Sequence, residues 1–480
     1  MPDLLRHEDR LADQVALLDR ARSRLEIGPP GPLMEVEVDK TLLFTRQAAL
    51  LTLEDRIAYQ AAVAAVAERV ETQTPDAVFS ARLSRDRRYF LKRGAQQWVT
   101  WRKSVLRTVN DGNEWLVETD LTAYFDTIPH RLLFAEIEAL GIDGGVFRSL
   151  KEMLSTWSPS TGVGLPQGPN ASRLLANLYM LPVDHAMLNT GWKYSRYLDD
   201  IRIATPSRRE AVEAFWQLQN ECRTRGLIVS SSKSNLRHGN DARASLGQEA
   251  DLAAIEYLMT RMAPEAGRAE LKATLKKALK PNNPIDNRRA KFSLWRLASL
   301  REGSMVKRVL SRLEDLGPLA TVTAAYLRPF ISRKPVVHGI AGFLGDRDRT
   351  CSRYFTTWLL AAVLEHAGNM PPSLAAEARK RLKDRNEPAF LRCLAAVVVV
   401  REGRAGDRSW LKAQIQREHD PQVLRGYAVA LHSVADLDKA TQRRLVARSS
   451  DMAQTLDYLR GRNRLPSLVQ ANAWLPYIAG

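Results

Sequence analysis

The pattern of apolar and polar positions changes character beyond the middle of the chain. Up to about residue 280, helical spacing alternates with short stretches of period two, which predict strands because successive strand side chains face opposite ways. After a Pro- and Asn-rich break at residues 280–284, the spacing is almost wholly helical. We therefore predict an N-terminal helix and linker (residues 1–33), an α+β domain (34–280) and an all-α domain (281–480).

The two periodicities give the elements of the first part of the chain. Strands are predicted at residues 34–39, 41–45, 116–119, 194–204 (a hairpin with the paired acids at its tip) and 226–229. Helices are predicted at residues 3–26, 53–71, 97–110, 130–140, 145–156, 171–189 and 210–225. Strands mixed with crossing helices in this order favour an α+β fold over a βαβ array.

One pattern recurs within the all-α domain. Residues 387–395 and 420–428 each carry an acidic residue and Pro, followed by Leu-Arg. Arg392 and Arg425 occupy equivalent places in the two copies, 33 residues apart. A repeat of this length is typical of stacked helical hairpins, so we predict HEAT-like repeats. A plain helical bundle remains the alternative, because a solenoid usually needs about three copies.

The net charge predicts a polyanionic partner. The 480 residues include 71 Lys and Arg against 54 Asp and Glu, which gives a formal charge of +17 and a pI near 9.9. Such an excess of base favours nucleic acid ahead of an anionic membrane, with a merely soluble basic protein as the alternative.

Cysteine usage and apolar content indicate a cytoplasmic protein. The chain has three cysteines, Cys222, Cys351 and Cys393, and no CxxC pair. This composition argues against a disulfide framework or a zinc knuckle and fits a reducing compartment. The first ten residues mix charges and lack the apolar segment of a signal peptide. The apolar run at residues 394–400 is too short to cross a bilayer, so no membrane partner is expected.

Three acidic positions stand where a metal site can form. Asp120 ends a predicted strand, and Asp199 and Asp200 stand together at the tip of the predicted hairpin. A Gly- and Pro-rich turn at residues 164–169 lies between them in sequence. Three carboxylates converge at low cost only if cations offset their repulsion, and Mg²⁺ prefers oxygen ligands. We predict two Mg²⁺ ions, replaceable by Mn²⁺, that serve phosphoryl transfer, with a solvated turn as the alternative for the Asp pair.

An acidic strand end, a Gly-rich turn and a paired acid, in this order, resemble the palm of reverse transcriptases. The resemblance runs from about residue 35 to about residue 240. It implies a right-hand polymerase fold with fingers and palm, and an RNA-directed DNA polymerase that uses dNTPs. It also implies that Asp120, Asp199 and Asp200 are catalytic and hold the metal ions, and it adds Leu121 to the metal-binding positions.

The same resemblance assigns further contacts in the palm. Phe125 stands where the family has a steric gate against the 2′-hydroxyl, with a core aromatic as the alternative. Gln167 and Gly168 match the turn that lies against the template strand and the incoming base. Tyr197 would lie under the primer end, with a packed strand tyrosine as the alternative. Lys233 would protonate the departing pyrophosphate, with a solvated loop lysine as the alternative.

Basic residues of the implied fingers are assigned to the triphosphate. The family carries a basic pair on a hairpin over the triphosphate, and Arg46 and Lys40 lie in the corresponding stretch. Arg46 is the better candidate, because a guanidinium grips phosphate in bidentate fashion. Solvated strand charges are the alternative for both. Arg82 lies in a block that resembles the next family motif and is a secondary candidate.

The helical second half narrows the implied subtype. After the palm, the sequence shows neither a cysteine-pair HNH-like tail nor a ribonuclease H block. The architecture resembles prokaryotic abortive-infection and defence-associated reverse transcriptases, whose C-terminal domain is α-helical. This implies an antiviral enzyme that is untemplated or uses an associated non-coding RNA, with a helical domain that binds RNA or mediates homo-oligomer assembly. A retron-like or group II intron-derived enzyme, and a nucleic-acid-binding scaffold with a vestigial site, remain open.

Overall fold

The computed structural model describes residues 1–26, 28–86, 88–158, 162–247, 250–262, 264–366, 370–449, 451–462, 465–466 and 468. The described chain forms two compact units. The sheet unit comprises Leu18–Glu35 and Gln47–Ala253, and the helical unit comprises Met1–Leu17, Val36–Arg46 and the described chain from Ala254 onwards. The end of the predicted all-α domain, residues 469–480, lies outside the described residues.

The strands form a small sheet and a larger one. They are β1 (Met34–Asp39), β2 (Thr45–Leu50), β3 (Trp115–Asp120), β4 (Lys193–Tyr197), β5 (Asp200–Thr205) and β6 (Asn235–His238). β1 pairs with β2, and the other strands form an antiparallel sheet in the order β4–β5–β3–β6. The strand predictions that end at Asp120 and that place a hairpin over residues 194–204 are confirmed.

The helices predicted between residues 53 and 225 are confirmed to within a few residues. The helices up to the end of the sheet unit are α1 (Glu8–Leu11), α2 (Gln14–Glu26), α3 (Leu53–Gln73), α4 (Gly94–Asn110), α5 (Tyr124–Thr127), α6 (His130–Ala139), α7 (Gly144–Thr156), α8 (Asn170–Leu188), α9 (Arg208–Thr224), α10 (Gly239–Gly247) and α11 (Ala250–Tyr257). Local capping explains where α3 begins: the Thr52 hydroxyl accepts the Asp55 N–H at 3.1 Å and donates to the Asp55 carboxylate at 2.7 Å.

The larger sheet is buried on both faces. One face carries Val117, Ile201 and Ile203 and packs against α8 and α9. The opposite face carries Leu116 and Ala204 and packs against α4 and α10. Burial on both faces fixes the register between β3 and β5, because a shift of one residue would exchange the two sets of side chains.

The prediction of one helix over residues 3–26 is wrong. The structure has two helices, α1 and α2, with a break at residues 12–13. The Asp3 carboxylate accepts the N–H groups of Leu5 and His7 at 3.0 and 2.9 Å, which folds the chain into a turn before α1. His7 has a φ of 58°, a left-handed conformation that interrupts a right-handed helix.

The strand predicted at residues 41–45 is also wrong. Residues 41–44 form the turn between β1 and β2, closed by a 2.8 Å hydrogen bond from the Lys40 N–H to the Phe44 C=O. The second strand of the hairpin begins at Thr45. The apolar side chains of the turn are exposed, so their hydrophobicity indicated a strand that burial does not support.

Residues 226–229, predicted as a short strand, form only an isolated bridge, between Val229 and Leu121. The strand that pairs with β3 on this side is β6, which the sequence pattern did not indicate. Leu227 packs into the core of the sheet unit, which accounts for the apolar pattern without a strand.

The rest of the helical unit is a succession of helices. They are α12 (Pro264–Ala278), α13 (Asn287–Ser299), α14 (Val306–Leu310), α15 (Ala320–Leu327), α16 (Lys334–Gly345), α17 (Arg353–Val363), α18 (Pro372–Lys383), α19 (Ala389–Arg401), α20 (Ala405–Gln414), α21 (Pro421–His432), α22 (Lys439–Arg448) and α23 (Met452–Arg460). The apolar α19 packs between α18 and α21. In the part of the chain that the structure describes, every helix is too short or too polar to cross a bilayer.

The two repeated arginines form equivalent buried ion pairs. Arg392 pairs with Glu418 at 2.5 Å, and Arg425 pairs with Asp3 and Asp9, each at 2.6 Å. The N-terminal segment therefore supplies the acidic partner in the second copy that Glu418 supplies in the first. The first 17 residues thus pack as part of the helical unit, and the HEAT-like character of that unit stays a proposal.

Candidate active site

The predicted carboxylates stand at one end of the larger sheet. Asp120 ends β3 and Asp200 begins β5, and the two are direct partners in the antiparallel register. Such partners project from the same face with Cβ atoms about 4.5–5.5 Å apart. Asp199 lies in the turn before β5, where its C=O accepts the N–H of Leu121 at 3.1 Å. The fold therefore brings together acids that are about 80 residues apart in sequence.

Burial and crowding perturb the charges of these acids. Asp120 is 5% exposed; its Oδ2 pairs with the ammonium of Lys233, and its Oδ1 is buried without a hydrogen-bond partner. Burial and then the negative charge of Asp199 raise the pKa of Asp200 to about 6. A positive charge placed here would therefore stabilise the site.

The donor atoms fit magnesium chemically. They are carboxylate oxygens, and the buried Oδ1 of Asp120 is an acceptor that lacks a partner. As the side chains stand, no three His, Cys, Asp or Glu residues within the described ranges form a group that could hold a metal ion. The Lys233 ammonium supplies the positive charge at Asp120 instead. The side chain of Leu121 lies in the core, and its place among the metal ligands stays a prediction.

The Gly- and Pro-rich turn packs against α5, the short helix that follows β3. The C=O of Phe125 accepts the Leu165 N–H at 2.8 Å, and the Gln167 amide donates to Asp126 at 2.8 Å. Gly168 has a φ of +130°, which residues with a Cβ rarely adopt, so this turn requires glycine. The structure thus brings the turn into contact with the α5 residues that follow Asp120, Phe125 among them. The substrate roles of Phe125, Gln167 and Gly168 stay predictions.

Tyr197 packs into an aromatic cluster on α4. Its ring centroid lies 4.9 Å from that of Trp98 and 5.7 Å from that of Trp101, and its hydroxyl donates to the Gly94 C=O at 2.9 Å. These contacts are those of a packed strand tyrosine. The role of Tyr197 under the primer end stays a prediction.

The basic residues predicted to contact the triphosphate differ in the exposure of their side chains. Arg82 is 14% exposed and donates to Glu71 at 2.9 Å and to the Val78 C=O at 3.1 Å, so a phosphate contact would have to replace internal bonds. Arg46 and Lys40 have exposed side chains and belong to the helical unit. Their role at the triphosphate stays a prediction.

The sequence motifs do not indicate a buried polar network that lies beneath the turn between β4 and β5. Arg196 is fully buried, pairs with Asp184 and donates to the Leu198 C=O at 2.9 Å. The sequence does hold one signal: Arg196 follows the buried Tyr194 by two residues, so strand periodicity puts it on the buried face. A charge on such a face needs a buried partner, which periodicity alone does not name.

Comparison with known proteins identifies the domain that contains this site. Residues 46–258 match the family model described as "Reverse transcriptase (RNA-dependent DNA polymerase)". The chain carries a reverse transcriptase domain. Asp120, Asp199 and Asp200 all lie inside the matched residues, so the reverse transcriptase domain contains the whole carboxylate site. The family is one of nucleotidyltransferases that use divalent metal ions.

Curated relatives match this domain only in part. The putative COX1/OXI3 intron 1 protein of Saccharomyces cerevisiae is 28% identical over 25% of this chain and 15% of that protein. Protein YkfC of Escherichia coli is 27% identical over 28% of this chain and 46% of that protein. The chain therefore spans less than half the length of either relative.

Solved structures give a weaker similarity. Apo telomerase from Candida tropicalis has a TM-score of 0.35 at 10% identity, over 87% of this chain and 69% of that chain. Telomerase from Candida albicans in complex with a fragment of telomeric RNA has a TM-score of 0.33 at 10% identity, over 81% of this chain and 64% of that chain. TM-scores of this size do not establish a shared fold, so the reverse transcriptase domain is defined by its sequence match.

Proposed function

We propose that the chain is a DNA polymerase of the reverse transcriptase type, which transfers dNTPs to a primer hydroxyl by two-metal catalysis. The observation that carries the proposal is the direct pairing of Asp120 with Asp200 across β3 and β5, with Asp199 in the adjoining turn. Acids gathered at one sheet end provide the negative charge that a pair of catalytic cations requires. A vestigial site is expected to have lost at least one acid, and none is lost.

The residues of the site have separate roles in this proposal. Asp120, Asp199 and Asp200 would hold Mg²⁺, and the chemistry that bound magnesium supplies is activation of the primer oxygen and stabilisation of the leaving pyrophosphate. The Oδ1 of Asp120 is buried and has no other partner, so it is available as a ligand. Lys233, whose ammonium already stands beside Asp120, donates a proton to the departing pyrophosphate.

The direct test is nucleotide incorporation by the purified full chain. The assay supplies labelled dNTPs with primed RNA, primed DNA or no primer, in Mg²⁺, in Mn²⁺ or in EDTA. The proposal expects labelled product, on nucleic acid or on the protein itself, that requires a divalent cation. Incorporation that persists in EDTA would contradict the metal site. Tight nucleic-acid binding without incorporation under any condition would favour the scaffold.

The biological setting that we propose is antiphage defence by abortive infection in the cytoplasm. The combination of a reverse transcriptase domain with a long helical unit supports it, by resemblance to defence-associated enzymes. Synthesis would then be untemplated or directed by an associated non-coding RNA, and the HEAT-like helical unit would bind RNA or assemble into a homo-oligomer. Phage plating on cells with the wild-type gene should fall relative to cells with an inactive variant. Equal plating would rule out this role under the phages tried.

An intron-derived enzyme is a second candidate. The observation in its favour is the similarity to a relative that is named as an intron 1 protein. Sequencing the RNA and DNA that co-purify with the chain from its native host separates the candidates. Intron RNA would support the intron-derived enzyme, a branched RNA–DNA product would support a retron-like enzyme, and a separate non-coding RNA would support the defence role.

Phe125→Ala is expected to lower the preference for dNTPs over rNTPs. Loss of a ring that excludes the 2′-hydroxyl is worth about 10- to 200-fold in discrimination, by analogy with other steric pockets. The measurement is kcat/KM for a dNTP and its rNTP. Phe147→Ala, which removes another half-buried ring of the same unit, is the control and should leave the ratio unchanged. If the ratio of kcat/KM for dNTP and rNTP is unchanged in Phe125→Ala, Phe125 is a core aromatic and not a steric gate.

Arg46→Ala is expected to raise the apparent KM for dNTP by about tenfold and to change kcat little. The reason is the loss of a charge-assisted contact to the triphosphate, typically about 1.5–3 kcal/mol. Arg209→Ala removes an equally positive and highly exposed side chain and should have no effect. A KM that is unaltered in Arg46→Ala would make Arg46 an ordinary solvated charge.

A further inference from the structure

The turn that carries the paired acids has an unfavourable backbone conformation. Leu198, between Tyr197 and Asp199, has a φ of 58°. This left-handed conformation brings the Cβ of an L-residue close to the following carbonyl, and glycine and asparagine adopt it much more readily than leucine does. A leucine persists there only if the surrounding structure fixes its backbone.

Both polar groups of the Leu198 backbone are held by buried side chains. The N–H donates to the Ser80 hydroxyl at 2.6 Å, and the C=O accepts from Nη1 of Arg196 at 2.9 Å. Ser80 is 3% exposed and Arg196 is fully buried. These two side chains therefore hold Leu198 through both of its peptide bonds.

The Arg196 guanidinium is itself fixed on three sides. Its Nε and Nη2 donate to the two carboxylate oxygens of Asp184 at 2.8 and 2.6 Å, a bidentate pair that sets the plane of the group. Its Nη1 also donates to Oδ1 of Asn177 at 3.1 Å. The Tyr194 hydroxyl donates to Asp184 at 2.7 Å and completes the surroundings of that carboxylate. These bonds use three of the five N–H groups and fix the plane of the guanidinium, and the second N–H of Nη1 donates to the Leu198 carbonyl.

The serine and the arginine belong to one connected network. The Asn177 amide donates to the Ser80 C=O at 2.7 Å, so α8 fixes both partners of the turn. The chain around residue 78 also lies beside β4, where the Phe79 N–H donates to the Arg196 C=O at 3.0 Å. The position of the turn is therefore determined by elements that lie far from it in sequence.

We propose that Arg196 is a positioning residue of the active site. Together with Ser80 it holds the Leu198 backbone in the left-handed conformation, and this places the carboxylates of Asp199 and Asp200 opposite Asp120. The inference rests on the proposed function, because these carboxylates are its catalytic groups. Arg196 does not touch substrate in this scheme, and it acts only through the turn.

A structural test does not depend on polymerase activity. Hydrogen–deuterium exchange is followed in peptides that cover residues 197–203, in the wild type, Ser80→Ala, Arg196→Lys and a control. Loss of one hydrogen bond of about 1 kcal/mol should speed exchange in the turn about fivefold in Ser80→Ala, and by more in Arg196→Lys. The control is Arg225→Lys: Arg225 is 13% exposed and bonds to Glu136 at 2.8 Å and to the Tyr179 C=O at 3.1 Å. Arg225→Lys should leave the exchange rate of the peptides that cover residues 197–203 unchanged.

A kinetic test separates positioning from general stability. In single-turnover incorporation, Arg196→Lys should lower kcat about 10- to 100-fold, as expected for a small displacement of catalytic groups, with the KM for dNTP changed less than about threefold. Ser80→Ala should lower kcat less. Leu198→Gly in the Arg196→Lys background should restore kcat at least about fivefold, because glycine adopts the left-handed conformation without support.

The outcomes are distinct for each part of the account. Unaltered exchange in the turn of both Ser80→Ala and Arg196→Lys would overturn the proposal, whether or not the chain polymerises. A fall in kcat no larger than in Arg225→Lys, or no recovery with Leu198→Gly, would also overturn it. If Arg196→Lys does not fold, hydrogen exchange in the turn of Ser80→Ala alone tests the proposal. A wild type that shows the expected exchange but never incorporates dNTPs would refute the proposed function and leave the control of the turn by Arg196 intact.

Discussion

Replacing Asp199 and Asp200 together by asparagine will abolish dNTP incorporation. Asparagine keeps the shape of each side chain but removes two negative charges next to Asp120, where the cations are needed. Loss of several kcal/mol of transition-state stabilisation corresponds to at least about a 10³-fold fall in kcat. The measurement is single-turnover extension with Mg²⁺ at saturating dNTP.

The fold should survive this double substitution. Burial and the neighbouring Asp199 already raise the pKa of Asp200, so removing both charges relieves repulsion in the folded protein. We expect a thermal midpoint equal to or above that of the wild type. The matched control changes two exposed acids of the same unit, Asp111→Asn with Asp241→Asn, and should retain full activity. Normal incorporation by the Asp199/Asp200 variant would show that the site assignment is wrong.

Arg425→Met is expected to destabilise the helical unit by about 3–5 kcal/mol, the usual effect of removing one partner of a buried ion pair. Arg425 bonds to both carboxylate oxygens of Asp9, at 2.7 and 2.6 Å, and Asp9 is fully buried. Methionine fills much of the same volume but leaves the carboxylates of Asp3 and Asp9 without a cation. Arg460→Met, which breaks an exposed pair with Asp457, is the control and should change stability by less than about 1 kcal/mol.

The pH dependence of this variant has a defined sign. Burial alone raises the pKa of Asp3 and Asp9, but the bonds and charge of Arg425 lower both below their ordinary value. In the wild type this stabilisation is therefore present above the unfolded pKa near about 3.9, and it is lost as the pH falls through the lower folded pKa. In Arg425→Met the lowering of both pKa values by Arg425 is lost, and burial is opposed by the smaller effects of His7 on Asp3 and of Thr455 on Asp9. Lowering the pH from about 7 to about 5 should therefore stabilise the variant relative to the wild type.

This prediction is checked by thermal or urea unfolding of both proteins at the two pH values. Hydrogen exchange in α21 and α23 is then measured for both proteins. An Arg425→Met protein within about 1 kcal/mol of the wild type at pH 7 would show that the N-terminal segment contributes little to the helical unit.

The sequence was most informative where local signals and function coincide. The helix at Leu53–Gln73 was predictable because Thr52 caps it and alanine-rich helical spacing continues for five turns. The strand that ends at Asp120 and the hairpin around the paired acids were predictable because a period of two is visible in a few residues. The order of the acids indicated their convergence, which the register between β3 and β5 then produces.

The sequence was least informative where long-range contacts decide. Asp3 and Asp9 are more than 400 residues from Arg425, so no local pattern predicts that the N-terminal segment belongs to the helical unit. The buried ion pair of Arg196 is not predictable either, because its partner, Asp184, lies on a different element, α8. The exposed apolar tip at residues 42–44 was misleading for the opposite reason, because hydrophobicity predicts burial only on average.

The most direct test of whether the paired aspartates hold metal ions is a Mn²⁺ titration followed by electron paramagnetic resonance, with the purified full chain and a non-hydrolysable dNTP. The wild type and Asp111→Asn/Asp241→Asn should bind Mn²⁺ equally. Asp199→Asn/Asp200→Asn has the same net charge as that control and should lose this binding. Equal Mn²⁺ binding by all three proteins would contradict the assignment of the paired aspartates as metal ligands.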